Sequence, residues 1–571
     1  MFEVSSTERE IARSGLRQKL LGPLLIAVLA TTATVATLGP AANGPGVTCD
    51  ELYHVIMGKR LVGALRRQGP AFFTAANIRR NFSWPEKGPP VQAPLGHLAL
   101  GAVHHLFDPA ADDPAVVSIA AARFAPAMAF GLLVLLVGIA TMRTEGPLAG
   151  TVAAAAVVLV PRVFGHAHFA ALDMLTTLAF VAALCAVMVA ARGALWWHFA
   201  LAGVVWGLAL LVRLHGLLLL PPVVAWALWR WRLTAWRPLI AWMTAAAVTL
   251  LAGWPWLWLS PIGNLWRYVS SGAGRQAVNV FYFGKVWADH DVPWHYPAVL
   301  FIVTVPLGLL LLGGVGVWSR RRSWKAEPEL ALAAVVFLFV LLVFSLPGVP
   351  VYDGVRLFLM VFPLWSVWVG IGAKFVVGGS FSAAVKGSPT APRFLSRQGR
   401  MIIVGLLLLV QGIGLVIYHP CQLSYYNFLV GNLAGAERLG FEVSYWGDAI
   451  TEDILAEAVE RSAGGPILFG PNLAPFQAPA VAMSSAALVA GESRLVGWDA
   501  GKPELAAGCR YAVVYHRRAD LTPVGWMFAD GRVVAEHRRQ GAWVARLIEL
   551  PGNAVPNGGR LRVRDSRGSL R

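Results

Sequence analysis

The sequence predicts an all-α polytopic membrane domain followed by a small α/β domain. Of the 571 residues, 57% are hydrophobic and only 14% are charged, and the apolar residues gather in runs of about twenty. So little charge in a chain of this length is typical of membrane proteins, whose spanning helices need about 20 apolar residues each. We place the membrane domain at residues 1–419 and the α/β domain at residues 420–571.

The first apolar run, residues 20–42, follows a basic segment at residues 1–19. A cleaved signal peptide is one explanation of this pattern. The apolar core of a signal peptide is usually about 7–15 residues long, however, and this run is longer. We therefore favour an uncleaved first span.

Ten longer apolar runs follow a polar, proline-rich stretch at residues 43–93. They cover residues 117–142, 147–165, 172–191, 195–212, 214–229, 238–259, 296–318, 329–346, 354–377 and 401–418. Basic clusters at residues 230–237, 320–325 and 386–400 should be cytoplasmic, like the N-terminus. An even number of spans must then precede the first cluster. The fourteen-residue run 94–107 therefore lies at the interface, and the total is eleven spans.

This count places the polar segments between the spans on the extracytoplasmic face. The first outer loop covers residues 43–116. The shorter segments 166–171, 260–295 and 347–353 lie on the same face, as does everything after residue 419. The chemistry of the protein is expected there, because the inner face holds only basic linkers.

The last 150 residues carry a different pattern. Residues 451–463 read as a capped amphipathic helix that stops at Gly464. Residues 465–470, 510–515 and the pair 532–536 with 543–550 read as strands. A small α/β domain is the expected result.

Several functional classes find no support in the sequence. The net charge of +17 comes from clusters between apolar runs, which indicates membrane topology and no nucleic-acid partner. The four cysteines lack the spacing of a zinc motif or a disulfide framework. A dinucleotide-binding glycine fingerprint is also absent.

The outer segments hold a short set of residues that are able to carry chemistry. They are Asp50, Glu51, Glu86, Lys87, His166, His168, Asp173, His290, His295, Asp353 and Arg356. Each has a simpler explanation alone: a solvated lysine, a core histidine, a helix N-terminal carboxylate or a snorkelling arginine. Together they fit acid–base catalysis beside cations suited to a phosphate.

The order of these motifs resembles the C-type fold glycosyltransferases. The motifs are Asp50-Glu51, Glu86-Lys-Gly-Pro-Pro, the run from Gly207 to Gly216, His290 to Pro297, and Tyr352-Asp-Gly-Val-Arg-Leu-Phe. The likeness is to the protein O-mannosyltransferase and aminoarabinose transferase superfamily. Residues 419–427 and 445–448 are similar to a bacterial branch of it. The resemblance implies the C-type membrane fold for the eleven spans.

The resemblance also implies roles for individual residues. Asp50, Glu51 and Asp173 match the family's catalytic acidic positions. Lys87 and Arg356 match positions that contact the donor phosphate. His168 stands where many members have an arginine five residues before the second aspartate, so phosphate binding there would depend on pH or belong to another residue.

A metal site follows from the same resemblance. Glu86 and His290 match positions at which aminoarabinose-type relatives are able to coordinate zinc, and His295 or Glu51 would add a further ligand. Two protein ligands are few for a catalytic zinc. The alternative is that Glu86 pairs with a neighbouring cation and His290 caps a helix, in keeping with the metal-free mannosyltransferases.

The implied reaction moves a sugar from a polyprenyl-phosphate carrier in the membrane to a hydroxyl acceptor on the outer face of the plasma membrane. A transporter or flippase of lipid-linked sugars is the alternative. It would show inverted repeats and charges at the bilayer midplane. We see no repeat, and the polar residues gather at one surface. A non-enzymatic scaffold for the C-terminal domain would leave the acidic and basic motifs unexplained.

Overall fold

The computed structural model describes residues 6–39, 44–82, 92–108, 117–193, 195–271, 277–378, 396–499, 502–521 and 531–551. Helices dominate the part before residue 420. Their bounds are Ser6–Ala36, Glu51–Gln68, Ala75–Phe82, Pro94–Phe107, Ile119–Glu145, Pro147–Val158, Pro161–His166, Asp173–Gly193, Trp196–Val212, Leu220–Trp231, Trp236–Gly253, Pro255–Trp258, Pro261–Ser271, Tyr296–Thr304, Leu307–Arg320, Pro328–Phe344, Val361–Gly378 and Arg397–Ile417.

Six of these helical stretches are long and apolar enough to cross a membrane, and a bent pair raises the number to seven. Three shorter apolar helices add to them, and the stretch Leu214–Gly253 contains two of the predicted runs. Each of the eleven predicted runs thus corresponds to an apolar helical segment in the described part of the chain. The protein is a multi-pass membrane protein, and the count of eleven spans remains a prediction.

Apolar side chains cover the outside of the helix bundle, as expected for a surface in contact with lipid. In Arg397–Ile417 the only buried residue is Val404, although the helix is strongly apolar. An exposed apolar surface of this size is unfavourable in water and favourable against lipid chains.

The run predicted as one span at residues 296–318 is broken. Its two helices, Tyr296–Thr304 and Leu307–Arg320, meet at 112°. Pro306 lies between them, and a proline lacks the N–H group and the space that a continuous helix requires. The apolar run at residues 296–318 is therefore two helices and not one continuous helix.

Two side chains satisfy the backbone groups that the break leaves unpaired. Asn427 Nδ2 donates to the carbonyl oxygens of Ile302 and Val305, each at 2.7 Å. Gln411 Oε1 accepts from the backbone N–H of Gly308 at 3.1 Å. Unpaired backbone groups are costly in apolar surroundings, so these contacts allow the bend.

The helix Pro94–Phe107 has the bounds that the sequence predicts. It packs closely on Glu51–Gln68 at Gly58 and Gly101. A side chain at Gly101 would collide with the backbone of Gly58, so glycine is needed at this contact. Its position at the membrane interface remains a prediction.

A five-stranded sheet forms the C-terminal part, and a separate hairpin precedes it in the chain. The strands are β1 (Asn279–Tyr282), β2 (Lys285–Ala288), β3 (Ile467–Gly470), β4 (Leu495–Gly497), β5 (Tyr511–Tyr515), β6 (Arg532–Arg539) and β7 (Ala542–Glu549). Strands β1 and β2 pair with each other, and the sheet has the order β4-β3-β5-β7-β6. Strands β4, β3 and β5 are parallel, whereas β7 is antiparallel to both of its neighbours.

Helices accompany this sheet. They are Asn432–Arg438, Glu452–Ser462, Gln477–Ser484, Ala486–Ala490 and Arg518–Leu521. Glu452–Ser462 lies within the predicted range, with Thr451 at its N-cap and Ala463 and Gly464 at positive φ after its end. The α/β character of this part is as predicted. The boundary at residue 420 remains a prediction.

Candidate active site

Asp50 and Arg356 meet at one end of the helix bundle. Asp50 is the N-cap residue of Glu51–Gln68, and its side chain is 30% exposed. Arg356 lies in a short 3₁₀ turn just before Val361–Gly378 and donates from Nη2 to Asp50 Oδ2. The resemblance predicts that Asp50 is catalytic and that Arg356 contacts the donor phosphate. In the structure the two residues are in direct contact.

Arg356 lies at the centre of three carboxylates. Besides Asp50, it donates from Nε to Asp173 Oδ2 at 3.2 Å and from Nη1 to Asp353 Oδ2 at 3.1 Å. Its side chain is only 5% exposed and its guanidinium lies 4.3 Å from the ring centre of Trp446. Such a buried cation is favourable only because opposite charges surround it.

Two further arginines complete the charge balance. Arg213 Nη1 donates to Asp173 Oδ1 at 2.6 Å, and Arg517 Nη1 donates to Asp353 Oδ1 at 2.7 Å. Three aspartates thus face three arginines. Asp50 differs from Asp173 and Asp353, because in the described part of the chain it has no second arginine and it is the most exposed of the three.

Asp353 is held in a costly backbone conformation. Its φ is +54°, in the left-handed region, and the following Gly354 has φ of +68°. A non-glycine residue there costs on the order of 1–3 kcal/mol and persists only where its surroundings fix it. Trp446 Nε1 donates to Asp353 Oδ2 at 2.8 Å and, with Arg356 and Arg517, fixes the carboxylate.

Glu51 points away from Asp50 and is completely buried. Its two oxygens accept from Arg123 Nε and Nη2 at 2.7 and 2.8 Å, from the backbone N–H of Ala170 at 2.7 Å and from that of Thr48 at 2.9 Å. The predicted role of Glu51 as the second catalytic acid stays a prediction. In the described part of the chain its carboxylate anchors the loop before Asp50 through the backbone of Thr48.

His168 is likewise remote from the arginine cluster. Its ring nitrogens contact Thr37 Oγ1 and the carbonyl oxygen of Phe164, each at 3.0 Å. Burial lowers the pKa of His168 to about 3, and its predicted contact with the donor phosphate stays a prediction. Of these two histidines, His166 is the one that faces the cluster, since it packs edge-on against Trp446.

Of the predicted metal ligands, the structure describes His290, His295 and Glu51. His290 lies between Asp289 and Asp291, at 3.3 and 3.4 Å, with its side chain half exposed. Among the described residues, no group of three or more histidine, cysteine or acidic side chains is arranged to hold a metal. Glu86 and Lys87 lie outside the described residues, so their predicted roles stay predictions.

A cavity of about 910 Å³ opens beside Asp50 and Arg356. The membrane part contributes one wall, formed by Cys49, Asp50, Tyr352, Asp353 and Arg356. Loops of the C-terminal sheet form the opposite wall. Charged groups of the membrane part and loops of the C-terminal sheet thus line one cavity.

Three arginines were not predicted as partners of the acidic site residues. They are Arg123, which pairs with Glu51, Arg213, which pairs with Asp173, and Arg517, which pairs with Asp353. Arg123 lies inside an apolar helix, where an ionisable residue is by itself a functional or structural signal. Arg213 lies in the motif from Gly207 to Gly216, for which no residue role was predicted. Arg517 carries no signal in the sequence, because its partner is 164 positions away.

Fold and site together define a helical membrane protein with a charged cavity at one end of its helices. The model of the dolichyl-phosphate-mannose-protein mannosyltransferase family matches residues 80–266, about a third of the chain. This match confirms the predicted resemblance to the C-type glycosyltransferases. It includes Asp173 and Arg213, and it does not reach Asp50 or Arg356.

Solved structures show a distant likeness. ArnT from Cupriavidus metallidurans bound to undecaprenyl phosphate has 15% identity and a TM-score of 0.49, with 93% of this chain and 98% of that chain covered. The archaeal oligosaccharyltransferase AglB from Archaeoglobus fulgidus, in complex with an inhibitory peptide and a dolichol-phosphate, has 14% identity and a TM-score of 0.46, with 92% and 74% covered. No curated protein matches the chain.

Proposed function

We propose that the protein is a glycosyltransferase that moves a hexosyl or pentosyl group from a polyprenyl-phosphate donor to a hydroxyl acceptor. The observation that carries the proposal is the partly exposed carboxylate of Asp50 in contact with Arg356 at the edge of the cavity. The name of the matched family supports a lipid-phosphate donor. We place the reaction on the extracytoplasmic face of the plasma membrane.

Asp50 is suited to act as the general base. The acceptor hydroxyl gives its proton to the Asp50 carboxylate while its oxygen attacks the anomeric carbon of the donor. The bond between that carbon and the phosphate oxygen breaks, and its electron pair leaves with the polyprenyl phosphate. Attack from the face opposite the phosphate inverts the anomeric configuration.

Arg356 is suited to stabilise the leaving phosphate. A guanidinium carries five N–H groups, and the three contacts with carboxylates use only three of them. The remaining two have no partner among the described residues, and Arg356 lines the cavity in which we place the phosphate. Asp173 and Asp353 keep the guanidinium in place, so charge stabilisation needs little rearrangement.

The test is donor turnover by the full-length protein in liposomes. Undecaprenyl-phosphate-linked hexoses and pentoses are supplied, and release of undecaprenyl phosphate is measured with and without a hydroxyl acceptor. Arg356→Lys keeps the charge but loses the planar fork, so we expect the donor KM to rise about ten- to a hundredfold.

Arg213→Lys is the matched control, because Arg213 pairs with Asp173 but does not line the cavity. We expect its donor KM to change less than about threefold. Wild-type protein that releases no undecaprenyl phosphate from any of these donors, yet moves them across the liposome membrane, would contradict the proposal and favour a flippase.

A further inference from the structure

The cavity wall opposite Asp50 is built from the carboxyl ends of three parallel strands. Strand β3 pairs with β4 and with β5 in the same direction, so all three strands end at one edge of the sheet. The segments that follow them supply most of the residues of that wall, at positions 471–475, 498–499, 502, 517 and 520. In open α/β sheets this edge is where ligands bind.

The first of these loops is tied to the candidate catalytic residues. Gln477 Oε1 accepts from the backbone N–H of Leu473 at 2.9 Å, and Gln477 Nε2 donates to the carbonyl oxygen of Trp446 at 3.0 Å. Trp446 in turn donates to Asp353. A ligand on this wall would therefore lie against a surface whose position is coupled to the Arg356 cluster.

Close packing also fixes the shape of the wall. The amide of Asn472 lies against the α carbon of Gly497, where any larger side chain would collide with it. Trp498 is half-buried, and its backbone N–H donates to Phe469 at 2.9 Å. The wall thus presents an amide and one aromatic ring on a fixed backbone.

The charge of this wall differs from that of the Arg356 cluster. Arg494 and Lys502 are exposed and line the cavity, and their side chains have no hydrogen-bond or ion-pair partner among the described residues. Two carboxylates, Asp499 and Asp520, line the same wall, and Asp520 pairs with Arg517. Every arginine of the cluster, by contrast, faces a carboxylate. These two cations are therefore open to an anionic group on a ligand.

We infer that this wall binds the acceptor, and that the acceptor is a saccharide carrying an acidic group such as a carboxylate. The inference rests on the proposed function, since it names the substrate that shares the cavity with the donor. The cavity lies at the upper end of volumes typical of small-molecule sites, roughly 300–1,000 Å³. Sugar rings have polar edges for Asn472, an apolar face for Trp498, and in this case an anion for Arg494 and Lys502.

The experiment measures binding to the purified full-length protein in nanodiscs by calorimetry, with no donor present. The probes are trigalacturonic acid, its neutral methyl ester, and a triaspartate peptide of the same charge. We expect the acid to bind at least about tenfold more tightly than either of the others, because only it combines sugar rings with carboxylates.

Two double variants locate the binding. Arg494→Ala with Lys502→Ala should abolish the preference for the acid over the ester. The matched control is Arg461→Ala with Arg510→Ala, which removes two exposed cations of the same part of the chain outside the cavity lining. It should keep the preference of the wild type.

The inference is overturned if the wild type binds none of the probes, if the acid and the ester bind equally, if triaspartate binds more tightly, or if the control variant loses as much affinity. Donor turnover in liposomes separates this from the proposed function. Turnover by a wild type that does not bind the acid removes only the saccharide acceptor. Binding of the acid without turnover of any donor removes the proposed function.

Discussion

At the scale of single residues, three aspartates around one arginine have different surroundings and so different uses. Asp173 and Asp353 each face two arginines and are nearly fully buried. Asp50 faces Arg356 alone and is open to the cavity. Asp50 is therefore the carboxylate of the three that is most open to a substrate in the cavity, whereas Asp173 and Asp353 hold the guanidinium of Arg356 in place.

The first prediction concerns Asp50→Asn. This change keeps the size of the side chain and removes its basicity, so transfer to the acceptor should fall about 10²–10⁴-fold. The melting temperature of the purified protein should change little, because the side chain is partly exposed. Transfer at the wild-type rate would rule out Asp50 as the base.

Glu51→Gln should behave in the opposite way. The change leaves the guanidinium of Arg123 buried without its counter-charge, and loss of one partner from a buried pair costs roughly 3–5 kcal/mol. Thermal unfolding should show a clear loss of stability, with Asp50→Asn measured beside it as the control. If Glu51→Gln were as stable as the wild type but inactive, that result would support the predicted catalytic role of Glu51.

Residue roles could be predicted from the sequence only where a motif carried them. Asp50 and Arg356 stand in motifs, Asp173 opens an apolar run, and all three meet in the structure. Glu51 stands in the same motif as Asp50, but successive positions at the start of a helix point in different directions. Adjacency in sequence therefore gave two neighbours the same role, although only one faces the cavity.

At the scale of elements, the C-terminal sheet takes part in the site through the segment after β5. Arg517 is 3% exposed and contacts Asp353, Asp520 and the carbonyl oxygen of Tyr445. It does not contact Asp50 or Arg356, so it acts through Asp353. We regard it as a positioning residue.

We predict that Arg517→Ala lowers kcat about ten- to a hundredfold while the donor KM stays within about threefold. The reason is that a displaced Asp353 no longer orients Arg356, and small misplacements have effects of this size. Arg517→Lys should recover part of the rate, because it restores the charge beside Asp353. A parallel rise in donor KM would instead place Arg517 in direct contact with the donor.

Arg518→Ala is the control for this prediction. Arg518 is the next residue in the chain, and its side chain pairs with Glu437 away from the cavity. Its kcat should stay close to that of the wild type. An equal loss in both variants would indicate that the loop is merely unfolded.

Elements with strong local signals were predictable from the sequence, and those that depend on distant contacts were not. The helix Glu452–Ser462 has an N-cap threonine and a glycine stop in its own sequence. The hairpin of β1 and β2 was missed because its strands have only four residues each. The bend at Pro306 requires Asn427, which is more than 100 residues away.

At the scale of the whole molecule, the site and the basic residues around Arg320 lie at opposite ends of the bundle. Arg356 precedes the helix Val361–Gly378, and Lys374 near the other end of this helix pairs with Glu145 at 2.7 Å. Arg320 pairs with the same glutamate at 2.6 Å. The helix is about 27 Å long at 1.5 Å per residue, which is close to the thickness of the apolar core of a bilayer.

This separation leads to a prediction about topology. Because basic clusters stay in the cytoplasm, the end with Arg320 should face inward, and the cavity and the C-terminal sheet should face outward.

The test introduces one cysteine, either at Arg321 in the basic cluster or at Arg510, whose side chain is 72% exposed on the sheet. A membrane-impermeant thiol reagent is then applied to intact spheroplasts and to lysed ones, with the wild-type labelling of the four native cysteines as the blank. We expect Arg510→Cys to react in both preparations and Arg321→Cys only after lysis. The reverse pattern would place the cavity in the cytoplasm, where the proposed extracytoplasmic transfer has no place. Labelling of both positions in intact spheroplasts would mean that an even number of spans separates Arg321 from Arg510, and the total of eleven would be wrong.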